Sequence, residues 1–309
     1  MKNLSFAFFK RNLILARKVL SSILQTKNQA ESILINQGRL LSKLNSHQNS
    51  WNLQKNEFKI FSQWGEDGII QFLVDKIEIE NKTFIEFGVE DYSESNTRFL
   101  LTKDNWSGFV VDPSLKNVRK INSSFSNWKF DLVAKQAFIT TENVNEILKE
   151  SNFPKDLGIL SIDIDGNDYH ILNALTYFRP RIIICEYNSL FGSQRKITVP
   201  YIHNFSRGNM HFSNLYYGAS LGALNFLCSK MGYQLVGTNS HGVNAFFVRK
   251  DLLPNNYSTQ DFETLFTQRK FKEARNLDGR LNNMNVEKSI ELVRGMKVQN
   301  VETGELATY

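Results

Sequence analysis

Acidic residues recur where apolar runs of this chain end. Glu86 lies in Phe84-Ile85-Glu86-Phe87-Gly88, Asp112 closes Val110-Val111-Asp112, Asp163 and Asp165 close the run from Leu157, and Glu186 follows Ile182–Cys185. Carboxylates in such positions can grip ribose hydroxyls, attract a cationic ligand, or hold a hard divalent cation. A weak oxygen nucleophile also needs a proton acceptor. Asp165 is one candidate, and the loop histidines His241 and His211 are others.

The elements that would carry these residues alternate. Phe84–Gly88, Gly108–Asp112, Lys129–Val133, Leu157–Asp163 and Arg181–Tyr187 are short apolar runs suited to buried parallel strands. Helical patterns cover Asp91–Lys103, Ser114–Asn122, Glu142–Glu150 and Asp168–Thr176, with Glu66–Ile77 before them, N-capped by Ser62, and Ser220–Met231 after them. Tyr233–Gly237 and Val243–Arg249 flank the polar connection Thr238–Gly242, which ends in glycine and marks a hairpin. The rhythm predicts an α/β fold with a doubly wound sheet ending in an antiparallel hairpin. Such sheets bind ligands outside the carboxyl ends of their strands.

The turn after the first strand discriminates between cofactors. A nicotinamide dinucleotide needs further glycines after Gly88, so that a pyrophosphate can sit on a helix N-terminus. They are absent, and Glu86, Glu90 and Asp91 would repel phosphate. S-adenosylmethionine carries no phosphate, and its sulfonium and ammonium groups suit an acidic turn. Asp112 lies 24 residues beyond Gly88, near the spacing at which an acid holds a ribose. Gly88 is expected to let the backbone approach the ligand closely.

The strings FIEFGVEDYSESNTRFLL, GFVVDPS, LSIDIDGNDYHIL, RIIICEYN and YGASLGALNFLCSKMGYQLVGTNSHGVNAFFVR resemble a bacterial group related to the FkbM-type methyltransferases. The resemblance runs from Phe58 to about Arg249. It implies a class I methyltransferase Rossmann-like fold, with Glu86, Phe87 and Gly88 lining S-adenosylmethionine and Asp112 on its ribose. It also implies a sugar or glycan acceptor, since such genes often lie among those for surface polysaccharides. Glu90 departs from the pattern, because many methyltransferases have glycine there.

The segment Asp163-Ile164-Asp165-Gly166-Asn167-Asp168 is not an EF-hand, whose glycine comes sixth in a loop between helices. In one reading Asp168 only favours the start of the next helix. In the other, Asp163, Asp165 and Glu186, with Asn188 beside them, converge on Mg²⁺ or another divalent cation. His241, in the hairpin loop, is the first base expected, and Asp165 is the acidic alternative. Arg195, Tyr216 and Tyr217 fall in a long connection suited to an acceptor pocket.

Charge is uneven. Residues 1–50 hold eight basic residues against Glu31 alone and so carry +7; the chain carries +6, which leaves −1 for residues 51–309. A near-neutral body argues against nucleic acid. So does Asp163-Ile164-Asp165-Gly166 in place of the Asn-Pro-Pro-Tyr-like motif of many amino-methylating enzymes. Three segments follow: a basic helical extension (1–56), the methyltransferase domain (57–250) and a helical or irregular tail (251–309). Phe6, Phe9, Leu13, Ala16, Leu20 and Ile23 make an apolar stripe beside basic residues, so residues 1–25 are an expected peripheral membrane contact. Ala30, Ile33, Gln37, Leu40 and Leu44 have heptad spacing, too short for a coiled coil on its own, and suggest pairing of N-terminal helices in a homo-oligomer. Lys10 and Arg11 end the first apolar run early, and Cys185 and Cys228 sit in apolar segments. Both point to a cytoplasmic protein without a secretory signal, peripheral at most at the inner membrane face. The rival reading is a non-catalytic protein with a degenerate cofactor site that docks on a membrane or a complex.

Overall fold

The computed structural model describes residues 2–48, 50–125 and 128–309, and the side chains of all of these except 2–14 and 16. Helix α1 (Lys2–Ser46) is followed by a 3-10 turn at Leu53–Asn56 and by α2 (Glu66–Lys76). Then β1 (Thr83–Phe87), α3 (Arg98–Asp104), β2 (Ser107–Asp112), α4 (Leu115–Ser124), β3 (Leu132–Gln136), α5 (Val144–Lys149), β4 (Ile159–Ile162), α6 (Asp168–Ala174) and β5 (Ile182–Glu186) alternate. Short β6 (Ile197–Thr198) and α7 (Arg207–Met210) lead to α8 (Leu221–Lys230) and the hairpin of β7 (Tyr233–Thr238) and β8 (Asn244–Arg249). The chain ends with α9 (Phe262–Leu265), α10 (Val286–Val293), β9 (Lys297–Asn300) and β10 (Leu306–Thr308).

The main sheet has the order β3-β2-β1-β4-β5-β8-β7. β1 to β5 are parallel, β8 is antiparallel to β5, and β7 is antiparallel to β8. This is the class I methyltransferase arrangement expected from the strand–helix rhythm. Every residue of β4, β5 and β8 is buried, as befits strands covered on both faces. On one face Ile69, Phe72 and Leu73 of α2 pack with Leu100 of α3 and Ile121 of α4; on the other, Val144, Leu148, Ile171, Leu172 and Leu224 come from α5, α6 and α8. Cys185 and Cys228 are free and buried in that second layer.

Three local expectations shift. Residues 91–97 do not join α3, because the Glu86 carboxylate captures donors of Ser95, Asn96 and Thr97 and holds them out of the helix. β3 begins three residues later than its apolar run, because pairing with β2 from Leu132–Gly108 to Gln136–Asp112 sets the register, and an edge strand can leave Lys135 partly exposed and Gln136 exposed. The N-cap of α2 is Gly65, with φ +118°, and not Ser62. Ser62 Oγ still accepts the Asp67 N–H (3.0 Å), while one Asp67 oxygen accepts the N–H groups of Ile60, Phe61 and Ser62 at 2.7–2.8 Å.

The tail does not trail away from the body. β9 pairs with β6 and with β10 in a second, three-stranded sheet. Val293, Val298 and Ala274 pack there on Leu190, Phe191, Val199 and Tyr217, around the long connection that follows β5. Residues 269–275 are held by bonds of their own: the Arg269 N–H donates to Ser189 Oγ (3.0 Å), the Lys270 N–H to the His241 carbonyl (3.3 Å) and the Arg275 N–H to the Ser213 carbonyl (3.2 Å). The two N-terminal patterns belong to one 45-residue helix. Phe6, Phe9, Leu13 and Ala16 of the membrane-contact expectation lie outside the described side chains. Among the described residues, no helix is long and apolar enough to cross a membrane.

Candidate active site

The register of the sheet lines up the site. Phe87 pairs with Val111 and with Ile162, and Ile162 pairs with Cys185. The next residue of each strand is therefore Asp112, Gly88, Asp163 and Glu186, side by side in one row. Glu186 pairs onward with Asn244. Neighbours in such a row are about 4.8 Å apart. A cavity of about 520 Å³ opens above this row and is lined by all five residues. That volume is within the usual range for a small-molecule site.

Gly88 is required for a reason other than the one expected from the sequence. Its φ is +72°, and a Cβ there would lie 1.6 Å from the Asp163 carbonyl oxygen. The neighbouring strand end, rather than a ligand, occupies the space of the missing side chain. Asp112 Oδ1 accepts the Ser114 N–H (2.8 Å) and an Asn117 Nδ2–H (3.0 Å). Among the described residues Oδ2 accepts no hydrogen bond, so one carboxylate oxygen remains for a hydroxyl pair of a ligand. Phe87 lines the cavity, and Glu90, in a left-handed backbone conformation, stands exposed at its rim.

Glu86 also lines the cavity, but its carboxylate is engaged. It accepts Ser95 Oγ–H and Thr97 Oγ1–H at 2.5 Å and the N–H groups of Asn96 (2.9 Å) and Thr97 (3.2 Å). Burial raises its pKa, and these bonds oppose that rise. Glu86 therefore shapes the cofactor loop and adds negative potential to the wall. Asp91 leaves the cavity altogether to pair with Lys120.

At the other end of the row, Asp163, Asp165 and Glu186 each offer an oxygen within 4.8 Å of the others. Glu186 Oε2 is buried and has no hydrogen-bond partner among the described residues. Burial first, and then repulsion from neighbouring carboxylates (Asp165 and Asp168 for Asp163; Asp163 and Asp165 for Glu186), pushes the pKa of both Asp163 and Glu186 well up. Three hard oxygen donors with an orphaned buried oxygen fit a divalent cation. Arg207 supplies part of the counter-charge, pairing with Asp165 and with Glu273 (2.6 Å). Asn188 does not join the cluster: its amide donates to the carbonyls of Leu215 and Tyr217, and its oxygen accepts the Leu190 N–H. Asp168 plays its structural part, each oxygen accepting one N–H of the 164–166 turn at 2.8 Å, from Ile164 and Gly166.

His241 does not line the cavity. It stacks on Trp64 with ring centroids 4.4 Å apart, and Trp64 stacks on Phe271 at 5.4 Å; both Trp64 and Phe271 do line it. His241→Ala is accordingly expected to change kcat by less than about threefold, measured by initial rates at saturating cofactor; a loss of two orders of magnitude would restore it as the base. Of the residues expected in an acceptor pocket, Tyr216 donates to the Lys297 carbonyl and Arg195 lies over the Tyr309 ring; His211, the other candidate base, meets Ser213 Oγ at 2.7 Å and does not line the cavity. Tyr217 is buried under the Arg207 guanidinium, 4.2 Å from its ring centroid. The cavity is lined instead by Trp64, Phe205, Arg207, Phe271 and Glu273, beside the row of strand ends. Arg207 lay within the connection singled out for its length. Phe271 and Glu273 carried no local signal.

A family model for the methyltransferase FkbM domain matches residues 71–235, just over half of the chain. No curated protein sequence matches it. Among solved structures, similar ones include PKMT2 from Rickettsia typhi in complex with AdoHcy, at 10% identity and TM-score 0.39, covering 60% of this chain and 52% of that one. This chain thus spans about half the length of PKMT2. Another is the O-methyltransferase from Bacillus cereus in complex with SAH, at 16% identity and TM-score 0.34, covering 54% and 72% respectively.

Proposed function

Because the chain belongs to the methyltransferase FkbM domain family, we propose that it transfers the methyl group of S-adenosylmethionine to a hydroxyl oxygen of a sugar or glycan precursor in the cytoplasm, with help from a divalent cation. The observation that carries this reading is the row Asp112, Gly88, Asp163, Glu186. An acidic cavity of about 520 Å³ opens along it, with Asp112 at one end and three converging carboxylates at the other.

Each residue has a part. Asp112 Oδ2 accepts a ribose hydroxyl, and the wall formed by Glu86, Gly88 and Glu90 favours the sulfonium and ammonium by charge. Asp163, Asp165 and Glu186 would hold Mg²⁺ or a similar ion, which would supply Lewis acidity toward the acceptor hydroxyl. Asp165 sits at the exposed side of the cluster, where it is the group best placed to take the acceptor's proton. Arg207 restrains Asp165, and Trp64 and Phe271 wall the acceptor end against water. An uncharged polyol needs several hydroxyl contacts and no phosphate clamp; carboxylates on this side accept hydroxyl hydrogens and repel phosphate.

The test is transfer of labelled methyl from S-adenosylmethionine to a panel of monosaccharides, sugar nucleotides and oligosaccharides, with catechol and peptide acceptors as controls. Label in a carbohydrate methyl ether, released as the methylated sugar on hydrolysis, is the expected product. Label only in peptide, or in no acceptor, would contradict the carbohydrate reading.

A further inference from the structure

Helix α1 carries two seams. Glu31, Ile35, Gly38, Ser42 and Asn45 face the body. Glu31 pairs with Arg98 (3.0 Å), Ile35 packs on the cluster of Ile60, Phe61 and Phe99, and Asn45 Nδ2 donates to the Asn56 carbonyl (2.7 Å). A Cβ on Gly38 would lie 2.4 Å from the Phe99 ring, so the helix sits directly on α3. The second seam is Val19, Ile23, Thr26, Ala30, Ile33, Gln37, Leu40 and Leu44, spaced alternately by four and three, and all of it is exposed. Val19, Ile23, Ile33, Leu40 and Leu44 are each 56–67% exposed, and Leu20, Leu34 and Leu41 widen the stripe on one side.

We propose that this second seam is a parallel coiled coil with a second copy of the same chain. A strict period of 3.5 over 26 residues specifies a left-handed supercoil around a partner helix. With Ile23, Ala30, Gln37 and Leu44 as the a positions and Val19, Thr26, Ile33 and Leu40 as d, the residues that touch the body fall at b and f. Those positions point away from a coiled-coil partner, so the two bodies hang on the outside and do not collide. The charges agree: Arg17, Lys18 and Arg39 fall at b and c, and only Lys27 and Lys43 flank the seam. Gln37 at an a position would face its own counterpart, where it fixes register. The eight apolar side chains named here offer about 80 Å² each, roughly 640 Å² together, which is four-fifths of the ~800 Å² per partner of a stable interface before the Thr26, Ala30 and Gln37 contacts are added.

The experiment uses the full-length chain in sedimentation equilibrium, with Ala30→Cys and Ser21→Cys variants under mild oxidation. The expected mass is twice the 35.7 kDa of one chain. Ala30→Cys should cross-link between copies and Ser21→Cys, at f, should not; the native cysteines are buried and do not interfere. Ile33→Asp combined with Leu40→Asp should give a monomer with unchanged S-adenosylmethionine affinity, since neither residue touches the body. A monomeric wild-type chain at tens of micromolar would overturn the proposal. So would a monomer that pellets with vesicles containing phosphatidylglycerol, which would assign the stripe to an anionic membrane instead.

Discussion

Gly88→Ala is expected to weaken S-adenosylmethionine binding by at least about 100-fold, or ~2.7 kcal/mol. The cause lies in the sheet rather than in the ligand. The added methyl would sit 1.6 Å from the Asp163 carbonyl oxygen, less than half a normal contact distance, and φ is +72°. Overpacking of this kind costs about 1–3 kcal/mol, and the left-handed backbone adds ~1 kcal/mol for a residue with a Cβ. Either the turn after β1 or the end of β4 must move by more than an ångström, and both line the cofactor cavity. Calorimetric titration would read the affinity, and thermal unfolding would show a lowered Tm with the cooperative transition retained. Wild-type affinity in this variant would mean that the row at the strand ends is not the cofactor floor.

Glu186→Gln is expected to lower kcat by at least about 100-fold while S-adenosylmethionine affinity stays within about threefold. Glu186 is two strands from Gly88, so its carboxylate belongs to the acceptor end of the cavity. The same substitution should stabilise the cation-free protein. Glu186 is buried, its Oε2 has no partner among the described residues, and Asp163 repels its charge. Its folded pKa is raised, so the folded state binds the proton more tightly than the unfolded chain does. Cation-free stability is therefore lost as pH rises from the ordinary carboxylate range through that raised pKa, and the Gln variant should flatten this dependence. Loss of rate with gain of stability is the signature of a functional charge held at structural cost. Chelation of wild-type protein should abolish turnover, and Mg²⁺ or Mn²⁺ should restore it. Turnover indifferent to chelator would leave the three carboxylates without a cation.

The strand ends were readable because buried parallel strands are written as continuous apolar runs, and the first polar residue after each run falls at the carboxyl edge. That rule located Asp112, Asp163 and Glu186 without reference to any other protein. Glu86 was readable as a site acid but not as the anchor of the 95–97 loop, since the hydrogen-bond partners of a carboxylate depend on how the chain folds back. His241 looked like a base because the hairpin loop lies near the right edge of the sheet; only the packing of Trp64 places it behind the wall. Phe271 and Glu273 were invisible for a different reason. They reach the cavity because the backbone of Arg269, Lys270 and Arg275 is tied to Ser189, His241 and Ser213, contacts between irregular segments that no periodic pattern announces. The seam on α1 is legible in the sequence only from Ala30 onward, because Ile23 also fits the stripe that begins at Phe6, and the exposure of Val19 to Thr26 is a property of the folded chain.

The most direct test of the central claim is titration of the unmodified protein with S-adenosylmethionine by calorimetry, with and without Mg²⁺. One site per chain with micromolar affinity, competed by S-adenosylhomocysteine and weakened by Asp112→Ala, is the predicted result. No binding under either condition would contradict it and favour a docking protein with a degenerate cofactor site.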